Sequence, residues 1–230
     1  MRSKNDLIYQ ALPLPHRNYM TDEDMNKHAK AFFQKMKQRH SVRHYSSQTV
    51  SRDVIMNCIR AAGTAPSGAN HQPWHFVAIS ESNLKAQIRE QAEAEEQRFY
   101  AGGAGDEWIK ALEPIGTNAQ KPHLTIAPWL IVVFAQRWGE FDDGTRYKNY
   151  YVPESVNISI GILLTALHYA GLCTLTHTPN PMKFLNSILY RPESEKATMI
   201  IAVGHPATDA TVPAMAKWKK PTETISTFFE

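Results

Sequence analysis

Apolar positions along this chain keep two rhythms. Met25, Ala29, Phe32, Phe33 and Met36 recur at helical spacing behind Thr21-Asp22-Glu23-Asp24, a start signal with acids in its first turn, which predicts a helix to Gln38 with one apolar face. Ser51 is the expected N-cap of a second helix, with Val54, Ile55, Cys58, Ile59 and Ala62 as its buried stripe and Gly63 at its end. A third runs from about Ser82 to Tyr100, with Leu84 and Ile88 inward and many charges outward. A fourth, from about Glu154 to Ala170, is apolar nearly all round, which predicts full burial, in the core or against a second subunit. Residues 75–80, 129–134, 172–177 and 198–203 are strand-like; 129–134 (WLIVVF) is apolar on both faces and expected to be central. A polar, aromatic loop follows it, and a short helix is expected near residues 182–189. Helices first, then strands at irregular intervals, predict an α+β layered domain rather than a strictly alternating parallel sheet. The expected division is an N-terminal arm over 1–20, a domain over 21–212 and a C-terminal arm over 213–230.

Length and charge narrow the classes. At 230 residues the chain can bury a core without staples, and 25 basic against 22 acidic residues, spread evenly, favour neither nucleic acid nor an anionic membrane as partner. The two cysteines, Cys58 and Cys173, lie in apolar runs and read as small buried hydrophobes in a reducing compartment. The N-terminal stretch holds no apolar core of signal-peptide length, and no segment reaches the ~20 apolar residues of a membrane span, so a soluble, cytoplasmic protein is expected.

Candidate chemistry concentrates between Arg39 and Trp74. Arg39, Ser41 and Arg43 alternate, and in an extended segment they share a face, the outline of a phosphate clamp; a surface basic strand has the same pattern. Pro66-Ser67-Gly68-Ala69 is small and turning, so its backbone N–H groups can approach a flat ligand. Glu96 and Tyr100, four apart, share a helix face and can point into one pocket, or stand as an exposed pair. The glycine-rich 101–105 and the segment to Lys121, carrying Trp108, Ile109 and Leu112, read as a lid or as a surface loop.

With these residues in view, the chain resembles the nitroreductase superfamily of flavin mononucleotide (FMN) enzymes, and within it the iodotyrosine deiodinase branch. The superfamily signal is Arg39-x-Ser41-x-Arg43 with GTAPSGAN-x-QPW; the branch signal is Glu96, Tyr100 and Lys121, with GLCTLTHTP, VGHP and ATVPAMAKWKKP downstream. The resemblance covers about Arg39 to Pro221. It implies a central mixed β-sheet flanked by helices, an arm-exchanged homodimer, and FMN held by Arg39, His40, Ser41, Arg43, Pro66, Ser67, Gly68, Thr176, His177, Thr178 and Lys219. His40 and Lys219 stand where that family shows arginines, and His177 where it shows a threonine. The implied reaction is reductive removal of halide from 3-iodo- or 3,5-diiodo-L-tyrosine, with bromo- and chlorotyrosine also reachable. Glu96 would take the ammonium, Lys121 the carboxylate and Tyr100 either end, Lys121 gaining its partner only as the lid closes on a zwitterion. The Ala69 N–H would hold the phenolate, and Thr178 at flavin N5 would favour single-electron steps. An unidentified NAD(P)H-linked reductant would restore the flavin. Two other readings share the clamp: a general NAD(P)H nitroreductase or quinone reductase, and a non-catalytic flavin-binding protein.

Overall fold

The structure, a computed structural model, describes residues 8–14 and 19–230, so the expected N-terminal arm lies partly outside the described residues. In chain order the elements are α1 (Asp22–Lys37), α2 (Arg52–Ala62), β1 (Trp74–Ile79), α3 (Ser82–Arg98), α4 (Asp106–Leu112), α5 (His123–Ile126) and β2 (Trp129–Gln136). There follow β3 (Trp138–Glu140), β4 (Arg146–Lys148), α6 (Val152–Tyr169), β5 (Cys173–His177), α7 (Phe184–Ile188) and β6 (Glu195–Gly204).

Four strands form one sheet in the order β1-β2-β6-β5. Every pairing in it is antiparallel, where a mixed sheet was expected; the parallel feature is an isolated bridge from Ser41 to Thr174 at the β5 edge. As the WLIVVF run implies, β2 is central and apolar on both faces. Leu130, Val132 and Phe134 enter one core with Ile88, Leu124, Leu185 and Ile200. Ile131 and Val133 enter the other with Ile55, Val156, Leu163 and Leu167. The period of two along the strand thus feeds two layers. Within the second layer Ser159 Oγ donates to Ala62 O at 2.8 Å, so α2 and α6 close on each other around a satisfied hydroxyl.

Two helices depart from expectation. The Thr21 hydroxyl caps α1 by accepting from the Asp24 N–H, but none of its residues is buried: Phe32 and Phe33 are 53% and 58% exposed. The opposite face of α6 is likewise open, with Ile158 exposed, so this helix is half-buried in the chain rather than enclosed. The polar loop after β2 contains the β3–β4 hairpin. Among the described residues no helix is long and apolar enough to cross a membrane.

Candidate active site

Helix α3 delivers the first two site residues. Its inward stripe steps by four through Ile88 and Ala92, both fully buried, to Glu96 and Tyr100, so the spacing that buries apolar groups also carries a carboxylate and a phenol to the core's edge. The regular helix ends at Arg98, and a wider π-type turn over Phe99–Gly103 follows, with Gly102 at φ 125°. Such turns are frequent at functional sites.

The segment behind α4 returns to α3 at Lys121. Its backbone N–H donates to Glu93 Oε1 at 2.6 Å, and its Nζ lies 3.0 Å from Glu96 Oε2 while also donating to Thr117 Oγ1 at 3.2 Å. Lys121 is 3% exposed. The expectation that it waits unpartnered for a zwitterion is therefore corrected: without a ligand, Glu96 and Lys121 satisfy each other.

The exit of β5 forms the facing wall. Strand alternation leaves Thr176 and Thr178 exposed and turns His177 inward, its Nε2 3.9 Å from Glu96 Oε1 and its ring edge-to-face with His123 at 5.8 Å. Burial, reinforced by the Lys121 charge, lowers His177 to about 3 and His123 to about 4, so both are neutral. Burial also raises the Tyr100 phenol, and the Glu96 carboxylate adds to that, against a smaller downward pull from Thr117 and Arg43. The Tyr100 hydroxyl, His123 Nε2 and His177 Nε2 are buried without a well-formed hydrogen bond. These groups line a cavity of about 850 Å³ that Arg43, Trp108 and Thr178 also border.

The predicted phosphate clamp lies beside it. Val42 N–H donates to Thr174 O at 3.1 Å beside β5, while Tyr45 bridges Pro206 beyond β6, so these two buried residues pin the stretch at both ends. Burial first, then the charges of Lys219, Arg39 and Lys217, push His40 down. The chain therefore gathers these basic groups from two ends of the domain. Among the described residues no carboxylate pairs with Arg39, Arg43 or Lys219. An uncompensated basic cluster fits a phosphate.

The Ser67–Ala69 turn is built as a close approach. A Cβ on Gly68 would stand 2.6 Å from Tyr150 O, and Ala69 and Asn70 hold φ values of 49° and 52°. Ser155 Oγ accepts from the Gly68 N–H at 3.2 Å, and Ser67 Oγ from the Gln72 N–H at 2.9 Å. Pro66 leads into this turn from α2, but the turn does not border the Glu96–Lys121 cavity within one chain. The structure thus unites Glu96, Tyr100, Lys121, Thr176, His177, Thr178 and Arg43, and leaves Ala69 apart. His123 was missed; its signal was its place directly after Lys121-Pro122 on the buried side of a one-turn helix.

The fold and this arrangement define a domain that sets a phosphate-fitting basic cluster beside a buried, charged cavity. Residues 36–205 match the Nitroreductase family, and the chain belongs to it. Its similarity within that family is to iodotyrosine deiodinases. The one from Haliscomenobacter hydrossis is 46% identical over 209 residues, 91% of this chain and 94% of that protein. Iodotyrosine deiodinase 1 of Homo sapiens is 40% identical over 215 residues, 93% of this chain and 73% of that protein. Among solved structures, oxidized iodotyrosine deiodinase bound to FMN and 3-iodo-L-tyrosine superposes with a TM-score of 0.68 at 29% identity, covering 77% of this chain and 90% of that one. A nitroreductase with bound FMN from Bacteroides fragilis shares the fold, with a TM-score of 0.63 at 19% identity over 86% and 98% of the chains.

Proposed function

We infer that this chain uses FMN to reduce halogenated tyrosine to tyrosine and halide. The observation that carries the reading is the buried Glu96–Lys121 pair beside Tyr100, one carboxylate and one ammonium facing a common cavity. A zwitterionic α-amino acid presents the complementary pair. Its ammonium replaces Lys121 at Glu96, its carboxylate replaces Glu96 at Lys121, and the Tyr100 hydroxyl, which lacks a well-formed hydrogen bond, gains one. One buried ion pair becomes two. A general nitroreductase has no use for so costly an arrangement, because a buried pair scarcely repays its desolvation on its own account.

The residues that would hold FMN are the basic cluster of Arg39, His40, Ser41, Arg43 and Lys219 at its phosphate, with Pro66, Ser67 and Gly68 against the flat ring and Thr176 and Thr178 at the β5 exit. When bound and reduced, FMN supplies the two electrons that break the carbon–halogen bond, the ring carbon taking a proton as halide departs. Thr178 would offer its hydroxyl to the flavin's N5. The lid, fastened at Lys121 by its backbone contact to Glu93, would keep water from the amino-acid end once it closes on the substrate. The Ala69 N–H is assigned to the phenolate. Because the Ala69 turn stands outside the cavity of its own chain, we assign it to the site of a second copy in a homodimer, with the 213–230 arm reaching across. An external donor, which we take to be NAD(P)H-linked, restores the electrons. Two free cysteines suit a cytoplasmic setting.

The test is direct. The purified protein should be yellow, its flavin fluorescence should be quenched by 3-iodo-L-tyrosine and not by nitrophenols, and one anaerobic turnover of the reduced protein should release iodide. Nitrophenol reduction without iodide release would overturn the reading.

A further inference from the structure

Three buried polar atoms face the cavity without a well-formed hydrogen bond, and the zwitterion accounts for one of them, the Tyr100 hydroxyl. His177 Nε2 is the next. It lies 3.9 Å from Glu96 Oε1, whereas Lys121 holds the other oxygen, Oε2, at 3.0 Å. The approach is too long for a hydrogen bond and too close to be indifferent. His123, edge-on to the His177 ring at 5.8 Å, blocks one direction in which that ring could turn. The remaining charged groups that bear on it are cationic, Lys121 and Arg43, so the carboxylate is the acceptor in reach.

We propose that His177 is a positioning residue for Glu96, and through it sets the selectivity for the amino-acid end of the substrate. Resting on the deiodinase reading, the proposal adds a step to it. When the zwitterion parts Lys121 from Glu96, the carboxylate loses a charged donor on one oxygen and gains the substrate ammonium. Its Oε1 then closes the gap to His177 and accepts the Nε2–H. A neutral imidazole is well matched to this role, since it carries one donor and leaves the Glu96 charge intact for the ammonium. A carboxylate beside Nε2 also favours the tautomer with its proton there. Strand alternation sends the His177 side chain to the opposite side of β5 from Thr176 and Thr178, toward Glu96.

The experiment uses FMN-loaded protein with His177→Leu and His177→Gln, and two substrates, 3-iodo-L-tyrosine and 2-iodophenol, which lacks the amino-acid end. His177→Leu should weaken iodotyrosine binding by about tenfold or more, the loss of one hydrogen bond to a charged group, and leave kcat/KM for 2-iodophenol unchanged. His177→Gln, which keeps an N–H donor, should recover most of that loss. Should His177→Leu fail to retain flavin, His177→Thr, with a hydroxyl too short to span the gap, takes its place in the comparison. Equal losses for both substrates, no loss for either, or a Gln variant no better than Leu or Thr would overturn the proposal while wild-type turnover stands. Wild-type protein that neither binds nor deiodinates iodotyrosine would overturn the reading beneath it, and the proposal with it.

Discussion

At the residue scale, the Glu96–Lys121 pair makes stability and recognition separable. The side chains are 15% and 4% exposed, so removing either charge strands the other in a poorly hydrated place, at a cost approaching ~3 kcal/mol. Glu96→Gln should therefore lower both thermal stability and iodotyrosine affinity, the latter by about 30-fold or more, with FMN content unchanged. The double variant Glu96→Gln/Lys121→Met should regain most of the stability, because no charge is left unpaired, while binding stays lost. Thermal denaturation and flavin titration read the two effects, and parallel recovery of both would sink this separation. The neighbouring histidines set a pH dependence. His177 and His123 titrate near 6.5 when unfolded but at about 3 and about 4 when folded, so below about pH 6.5 the unfolded chain binds more protons than the folded one. Stability falls as the pH drops through that window, by roughly 1.4 kcal/mol per pH unit for each histidine. His177→Gln should flatten the decline between pH 6 and pH 4, measured as the slope of the unfolding free energy; an unchanged slope would contradict the burial argument.

At the element scale, the segment from the π-type turn to Lys121 is fastened at its ends and exposed along α4. Phe99 packs edge-on against Trp108 at 5.4 Å, and the Lys121 N–H is held by Glu93, but no residue of α4 is buried. Iodotyrosine bound across Glu96 and Lys121 should tighten it, slowing proteolytic cleavage within residues 101–117 by about tenfold or more at saturating ligand; identical cleavage with and without ligand would remove the lid from the mechanism. Elements differed in how plainly their residues announced them. The central strand β2 was legible because six consecutive apolar residues admit little else, and α2 because Ser51 and Gly63 bracket its stripe. The start of β6 was not: Glu195 is buried in the strand only because Arg191 and Gln136 satisfy its carboxylate, and a charged residue in a sequence advertises a surface. The β3–β4 hairpin hid for a similar reason, its short strands being polar and aromatic rather than β-branched. Within the site, i, i+4 spacing joined Glu96 to Tyr100, whereas the pairing of Lys121 with Glu96, and the inward turn of His177, depend on tertiary approach that no local pattern encodes.

At the scale of the whole molecule, the apolar surface that one chain leaves uncovered is the strongest argument for a second. Met25, Phe32 and Phe33 on α1, Ile158 on α6, and Phe228 and Phe229 at the C-terminus are all exposed. Soluble monomers seldom leave so many large apolar groups open. The Ala69 turn, conformationally costly at φ 49°, stands away from the cavity it is assigned to serve, a deficit that a partner's turn would make good. Wild-type protein should therefore sediment as two chains carrying FMN. Placing two carboxylates in the apolar face of α1 with Phe32→Asp/Phe33→Asp should cost little within the chain, since that helix buries none of its own residues, but should split the dimer. The separated chain should keep its folded circular dichroism and its internal Glu96–Lys121 pair, yet lose flavin and iodide release together, because the clamp and the turn would then belong to different molecules. A flavin-loaded, active monomer would show instead that one chain completes the site alone.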